Sequence, residues 1–444
     1  MLLSLHPTTS ALISQHTKSL LHRRLSTGVA SKMKPLEGVR VLEVGQLIAG
    51  PFCGTILGYF GAEVIKIEPP KGGDPIRTWR HLDADGQSPW FLSLGRNKKS
   101  VAVDLRSEGG RSIVKKLADQ SDVIVENFRP GTMEKWGLGP EAFKTSNPDL
   151  IYTRISGYGQ TGPYAKRPGY ASVCEGMGGF RFVNGDPGKP PIRPNISLGD
   201  SLAGVHAALG VTLALLGRMR NGPSGTGQVV DVAIYESVLN MMEGIIPEYD
   251  RFKEIRQPSG TTVTGIVPTN TYPTKEGKHV IIGGNGDSIY KRLMKVIGRE
   301  DLATEKYETN AHRVKHQPEI DGAISDWTSQ HTVTEVLAAL DAASVPSGKI
   351  YDAKDIVEDE HTQARGMVEE IDVKKANGVE YKLKMPGMSP MLTDTPGETM
   401  WPAPDLGTHT HEVLSNVLGM SADKIAALQQ DGVIGRRTFD TKDK

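Results

Sequence analysis

The chain is short of cysteine, of net charge and of long apolar runs, and each shortage removes a class of protein. Cys53 and Cys174 are its only 2 cysteines in 444 residues. Two thiols make no disulfide framework, and they suit the reducing interior of a cell or organelle. Lys and Arg total 52 and Asp and Glu total 52, so the formal net charge is zero. With no Lys/Arg-dense block in the folded body, nucleic acid is not expected as a partner. No apolar run approaches the roughly 18 residues that span a bilayer, so no membrane partner is expected either. What is present is ordinary for a soluble enzyme, at 38% hydrophobic and 23% charged residues. The length implies two domains rather than one core.

Acidic residues are missing altogether from the first 36 positions, where Lys18, Arg23, Arg24 and Lys32 stand among frequent Ser and Thr. Leu20, Leu21 and Leu25 lie among these charges without a continuous apolar core. That composition predicts a mitochondrial transit peptide over 1–33, cut between Arg24 and Met33, and a matrix location. A disordered tail is the plainer alternative. The last residues, Thr441-Lys442-Asp443-Lys444, carry no peroxisomal tripeptide.

From Val39 the pattern becomes regular. A strand over Val39–Val44, a helix over Pro51–Phe60 and a strand over Glu63–Glu68 form a βαβ unit, and hence a parallel sheet. Strands follow at Val101–Asp104, Asp122–Glu126 and Leu150–Ile155, with a helix over Gly109–Gln120. The expected class is α/β, a doubly wound Rossmann-like large domain with a smaller α+β domain. Leu202–Leu216 reads as a buried helix, and a helix from Ala233 to about Pro247 leads into a polar link at Gln257–Gly265. A second unit begins near that link, with a strand at Val280–Ile282, helices near Ser288–Ile297 and Val333–Ala343, and strands within Val368–Pro386. The last helix, His411–Leu418, is expected to return to the first domain.

Several familiar chemistries are also absent. The first βα turn, Gly45-Gln46-Leu47-Ile48-Ala49-Gly50-Pro51, has no Gly-x-Gly-x-x-Gly, and Pro51 removes one N–H that a pyrophosphate would meet. An NAD site is disfavoured even though Glu68 ends the second strand. His409-Thr410-His411-Glu412 suits a helix start better than zinc, so no metal is expected. No Ser stands in a Gly-x-Ser-x-Gly elbow. Asp200 remains, just before the long apolar helix. One reading makes it a cap for the orphan N–H groups there. The other makes it a nucleophile kept ionised by the helix N-terminus.

Six segments in order bear on that choice: Ala49-Gly50-Pro51, Gly61-Ala62-Glu63-Val64-Ile65-Lys66-Ile67-Glu68, Asn97-Lys98-Lys99-Ser100, Val125-Glu126-Asn127-Phe128-Arg129-Pro130-Gly131, Leu198-Gly199-Asp200 and His361-Thr362-Gln363-Ala364-Arg365-Gly366. Together they make the chain resemble the class III CoA-transferases, from about Leu36 to Gly435. The resemblance implies that Asp200 is the nucleophile, passing through mixed anhydrides and an aspartyl-CoA thioester. It implies that N–H groups near Ile48, Ala49 and Gly50 stabilise an oxyanion, Ile48 replacing the polar side chain common in the family. It places CoA against Ile48, Ala49, Arg106, Asn127, Phe128, Arg129, Lys135 and Tyr170, with Lys71, Lys98 and Lys99 in the same stretches. Gly283, Gly284 and Gly286 match a mobile loop over the active site; without the family they read as a plain turn.

The resemblance also implies CoA as a substrate with no permanently bound cofactor, acyl-CoA and small carboxylic acids as ligands, and an interlocked homodimer. The implied domains are a CoA-binding α/β part over 34–255, a small domain over 256–365 that opens with the Gly-rich loop, and a C-terminal return over 366–444. Within the family the likeness is to the mitochondrial succinyl-CoA:glutarate (succinate–hydroxymethylglutarate) type. A dicarboxylate acceptor would want a cation, for which Arg154, Arg167, Arg181 and Arg193 are candidates. A 2-methylacyl-CoA racemase of the same fold is the rival. Gly169-Tyr170-Ala171 lacks the His that such racemases use as a base. Ala171 also departs from the transferases, which commonly carry an acid there. A non-catalytic CoA-binding protein is the alternative from another class.

Overall fold

The computed structural model describes residues 32–375 and 378–435. Most of the expected transit peptide lies outside the described residues. Along the chain run β1 (Arg40–Glu43), α1 (Ala49–Tyr59), β2 (Glu63–Glu68), β3 (Lys98–Val103), α2 (Glu108–Ala118), β4 (Val123–Glu126) and β5 (Ile151–Ser156). Then come α3 (Ala171–Met177), α4 (Leu198–Arg220), β6 (Val229–Ala233) and α5 (Ile234–Leu239). They are followed by β7 (Thr269–Pro273), β8 (His279–Gly283), α6 (Asp287–Val296) and β9 (Ser347–Lys349). The chain divides into two compact units. One comprises the segments through Gly162, Ala203–Val232 and Glu369 onward; the other comprises Pro163–Leu202 and Ala233–Val368.

The first unit is built on a seven-stranded sheet, whose order is Ile434–Gly435, β3, β2, β1, β4, β5, β6. β1 pairs in parallel with β2 (Val41↔Val64) and with β4 (Val41↔Val123). Apolar β-branched runs such as Val-Ile-Val at 123–125 suit strands covered on both faces. Leu42, Ile65, Val101 and Ile124 are fully buried and pack with Ile113, Val114 and Leu117 of α2. Each such side chain contributes roughly 1.5–3 kcal/mol. α2 is held at its N-terminus by Ser107, whose hydroxyl accepts from Gly110 N. The C-terminal helix Thr410–Asn416 buries Val413 and Leu414 in this core, and Ile434–Gly435 pairs antiparallel with β3.

α4 is longer than the apolar stretch suggests. At 23 residues, with mean hydropathy 1.5 over its most apolar stretch, it is the one helix among the described residues long and apolar enough to cross a membrane. Its glycines seat it on protein: a Cβ at Gly204 would meet Ala49 O at 3.0 Å, and one at Gly210 would meet Val230 Cγ1 at 2.6 Å.

The second unit has a three-stranded antiparallel sheet, β7-β8-β9, over its own core of Val280, Ile282, Leu293, Ile320, Ile324 and Leu340. The fold is therefore mixed α/β, with a large, mainly parallel sheet and a smaller antiparallel one.

Candidate active site

In the second unit, α4 begins at Leu198, so Asp200 lies within the first turn rather than ahead of it. No hydrogen bond to its carboxylate is found among the described residues, which removes the capping explanation. The turn is fixed instead by Glu175 of α3, whose Oε1 accepts the Gly199 N–H at 3.2 Å. A Cβ at Gly199 would meet Ile234 Cγ2 at 3.1 Å, Ala171 Cβ at 3.3 Å and Glu175 Cγ at 3.3 Å. Glycine is what lets α3 and α5 come this close. Glu175 is fully buried, its Oε2 lying 3.2 Å from Arg181 Nε and 3.8 Å from Arg193 Nε.

These neighbours set the state of the nucleophile. Burial, then the Glu175 charge, push the Asp200 carboxyl up from 3.8 to about 6, with Arg193 opposing them. The helix N-terminus therefore does not decide its charge alone. A group titrating near 6 is still about nine-tenths ionised at pH 7. It is a poorly solvated carboxylate, more basic than one in water. Cys174 does not compete as a nucleophile, because burial, then Asp200 and Glu175, push its thiol up to about 11. Tyr170 stands at the start of α3 with 75% of its surface exposed.

The glycine loop also belongs to this unit and is tied at several points. Gly283 N donates to Pro346 O and Gly284 N to Pro268 O, both at 2.9 Å. Asn285 O accepts from the buried Arg313 at 2.7 Å, and the same guanidinium pairs with Asp287 at 2.8 Å. Gly286 directly precedes α6.

In the first unit, the turn from β1 into α1 is clamped from both sides. Asn127 Oδ1 accepts Gln46 N at 2.8 Å, and its Nδ2 donates to Gln46 O at 2.7 Å. Asn127, matched to a CoA contact by resemblance, thus spends its amide on the turn. Asp74 accepts Leu47 N at 3.1 Å, and Lys66 donates to Gly45 O at 3.1 Å. These bonds hold Leu47 at a φ of 65°, a conformation costing a non-glycine residue about 1 kcal/mol or more. Beyond it, Ile48 and Ala49 are buried, and the N–H groups of Ile48, Ala49 and Gly50 have no acceptor among the described residues. Unpaired donors at the start of an 11-residue helix suit an anion or a developing oxyanion.

Beneath the turn lies a network of buried charges. Lys66 pairs with Glu43 at 2.9 Å and Asp74 at 2.8 Å, and Lys98 pairs with Glu43 at 2.8 Å. Lys98 also donates to Pro51 O at 2.6 Å, and burial pushes its amine down to about 8. Lys98 is therefore no surface phosphate ligand, contrary to its grouping with Lys71. Lys99 is likewise engaged, by Glu63 at 3.0 Å and Glu412 at 2.8 Å. Glu68, placed where a ribose-binding acid would sit, is buried and paired with Arg77 at 2.7 Å. Burial alone would raise it, but Arg77 holds it down at about 2.

Other expected CoA residues do come together. A pocket of about 300 Å³ at the carboxyl ends of β2, β3 and β4 is lined by Lys71, Asp104, Arg106, Phe128 and Trp136, among others. Phe128 and Trp136 meet edge to face at 5.1 Å. Arg106 is anchored by Asp104 at 2.9 Å with its side chain 80% exposed. Arg129 and Lys135 are exposed on the adjoining turn but do not line the pocket. A half-open, apolar-floored pocket with cations at its rim, beside a sheet's carboxyl edge, suits a nucleotide with phosphates. His409 Nδ1 accepts Ser100 N at 3.2 Å.

Two groups escaped sequence reasoning. Glu175 looked like one more charge in a stretch without clear periodicity. Asp74 stands in a Gly/Pro-rich link, and no local spacing points to its long-range bond with Leu47.

Residues 36–410 match the profile of CoA-transferase family III. The chain is 46% identical over 402 residues to the succinyl-CoA–D-citramalate CoA-transferase of Chloroflexus aurantiacus, covering 90% of this chain and 98% of that one. It is 39% identical to the beta subunit of the succinyl-CoA–L-malate CoA-transferase from the same organism, covering 90% and 98%. It is 33% identical to the succinyl-CoA:glutarate CoA-transferase of Mus musculus, covering 90% and 91%. Among solved structures, a CaiB/BaiF family protein from Brucella suis superposes with a TM-score of 0.75 at 30% identity, covering 87% of this chain and all of that one.

Proposed function

The chain belongs to CoA-transferase family III and is a CoA-transferase; from that premise we propose that it moves CoA from succinyl-CoA to a short dicarboxylic acid, with Asp200 as the covalent carrier. The Asp200 carboxylate attacks the thioester carbonyl and CoA thiolate leaves, giving a mixed anhydride. The thiolate then attacks the aspartyl carbonyl, succinate departs, and an aspartyl-CoA thioester remains. The acceptor carboxylate attacks that thioester and expels thiolate. Thiolate next attacks the acceptor's acyl carbonyl, releasing the new acyl-CoA and restoring the Asp200 carboxylate. Each step exchanges one acyl bond for another, so the thioester's free energy is kept.

The observation that carries this reading is the Asp200 carboxylate itself, in the first turn of α4, beside buried Glu175 and lifted to about 6. The pocket near Phe128 and Arg106 supports CoA binding in the first unit. The donor is proposed as succinyl-CoA because the relatives named above all carry it in their names. Their acceptors differ, and citramalate comes first because that relative shares 46% identity. Glutarate and hydroxymethylglutarate follow.

Matrix localisation is proposed on the acid-free, basic N-terminus. A homodimer is proposed as well. It is supported by the stripe of Val205, Leu209, Leu213, Leu216 and Met219, each 47–75% exposed along α4.

The test is to incubate purified full-length protein with succinyl-CoA and citramalate, malate, glutarate or hydroxymethylglutarate, and to follow new acyl-CoA by mass spectrometry. At least one acceptor should be converted by the wild type and none by Asp200→Ala. No transfer across the panel, or transfer that survives the substitution, refutes the reading; epimerisation of a 2-methylacyl-CoA would then support the racemase.

A further inference from the structure

Arg193 differs from the other arginines considered for a substrate's second carboxylate. Arg154 is buried and held by Glu126 at 2.9 Å and Glu134 at 2.7 Å, so both edges of its guanidinium are occupied. Arg167 is exposed and lies on the Tyr164 ring, 3.7 Å from its centroid. Arg181 donates its Nε to Glu175 Oε2 at 3.2 Å and is 24% exposed. Arg193 faces that same oxygen from 3.8 Å, beyond hydrogen-bonding distance, with 44% of its side chain exposed. Its field nonetheless reaches Asp200, where it opposes the effect of Glu175.

Glu175 therefore organises three groups at once. One oxygen holds the backbone of Gly199, next to the nucleophile; the other is hydrogen-bonded by Arg181 and attracts Arg193 electrostatically. Arg181 holds Oε2 at the shorter distance, 3.2 Å, which leaves Arg193 in a longer and looser ion pair with it at 3.8 Å. A cation in that state, beside the reacting carboxylate and open to solvent, is suited to a charge-assisted bond with a bound anion. The uncharged Ala171, which packs on Gly199, sets no carboxylate in competition.

We infer that Arg193 binds the distal carboxylate of both the succinyl donor and the dicarboxylic acceptor, and so selects diacids over monoacids. This rests on the transferase reading above. Because donor and acceptor occupy the acyl site in turn, one arginine serves both half-reactions. Arg181 positions Arg193 through Glu175 and does not itself touch the substrate.

The experiment measures, at pH 8, the rate of covalent CoA loading of the full-length protein from succinyl-CoA and from butyryl-CoA, by intact-protein mass spectrometry. Butyryl-CoA has the same chain length without the second carboxylate. Wild type is expected to load from succinyl-CoA on the order of 100-fold faster. Arg193→Gln should reduce that ratio to within a few fold of one, Arg193→Lys should keep an intermediate ratio, and Arg181→Gln, which frees Glu175 to hold Arg193, should lower it part of the way. The ratio is insensitive to any change in Asp200 ionisation, which affects both donors alike. If Arg193→Gln loads from either donor and keeps the wild-type ratio, the inference is wrong while the transferase reading stands. If the wild type loads from neither donor, the transferase reading fails and takes this inference with it.

Discussion

Replacing Asp200 by Asn should abolish transfer and make the protein more stable, but only above a certain pH. The carboxyl is displaced from 3.8 to about 6 by burial and by Glu175. A native value above the unfolded one means that the folded state binds the extra proton between those two pH values. Stability contributed by the neutral acid is complete below about pH 3.8 and is lost as pH rises through 6. Above pH 6 the ionised carboxylate costs the fold up to about 3 kcal/mol, the energy equivalent of the displacement. Asn has nearly the same shape and never ionises, so it removes that cost. Water reaching the partly open site reduces the gain, leaving about 1–3 kcal/mol expected at pH 7.5. That corresponds to a rise of a few degrees in Tm. The assay is thermal unfolding of both proteins from pH 4.5 to 8. The gap should be widest above pH 7 and shrink towards pH 4.5. A variant less stable than wild type at pH 7.5, or a gap independent of pH, refutes the electrostatic account of this site.

The same cluster predicts how activity depends on pH. The acid limb of single-turnover CoA loading should fall near 6 in wild type, move down in Glu175→Gln and move up in Arg193→Gln; shifts of about half to one unit are expected and are read from pH–rate profiles. In the first unit, Phe128→Ala and Arg106→Gln should each raise KM for acyl-CoA about tenfold and leave the acceptor KM unchanged, as steady-state kinetics with both substrates varied would show. Asn127→Ala should lower kcat more than it raises KM, and should destabilise the fold by about 1–3 kcal/mol, because Gln46 loses both of its bonds to the amide. Leu47→Gly should be close to neutral in chemical denaturation, since relief of the 65° φ offsets the lost side chain.

What the sequence revealed and what it hid follow from how local each signal is. The βαβ core was legible because β1, β2, β4 and β5 each carry Val, Ile or Leu between Gly, Pro or Asp turns, and α2 has a 3.6-residue period behind a Ser cap. The stretch from Gly157 to Ser197 was not. Its helix α3 is seven residues, Ala-Ser-Val-Cys-Glu-Gly-Met, too short and too rich in Ser and Gly to stand out. Glu175 was lost with it. Ile434–Gly435 has two residues and no period at all, yet it forms the edge beside β3. Ala233–Pro247 read as one helix because its apolar spacing continues, whereas it breaks between Leu239 and Ile245.

The candidate site divides in the same way. Asp200 and Phe128 could be singled out from their segments, the first beside a long apolar helix and the second within a matched run. Lys98 could not be told from a surface lysine, because its partner Glu43 lies 55 positions away on a neighbouring part of the sheet. Asn127 was matched to CoA, but only coordinates show both atoms of its amide engaged with Gln46. Pairings between distant strands leave no trace in spacing, so buried charge networks are where local reasoning stops.

The central claim is that Asp200 carries CoA covalently. Protein mixed with succinyl-CoA should be treated with borohydride, which reduces an aspartyl thioester to the alcohol, and then digested and sequenced by mass spectrometry. Conversion of Asp200 alone, requiring acyl-CoA, is the expected result. An unmodified Asp200 under conditions in which the protein turns over, or reduction at another carboxylate, would contradict the account.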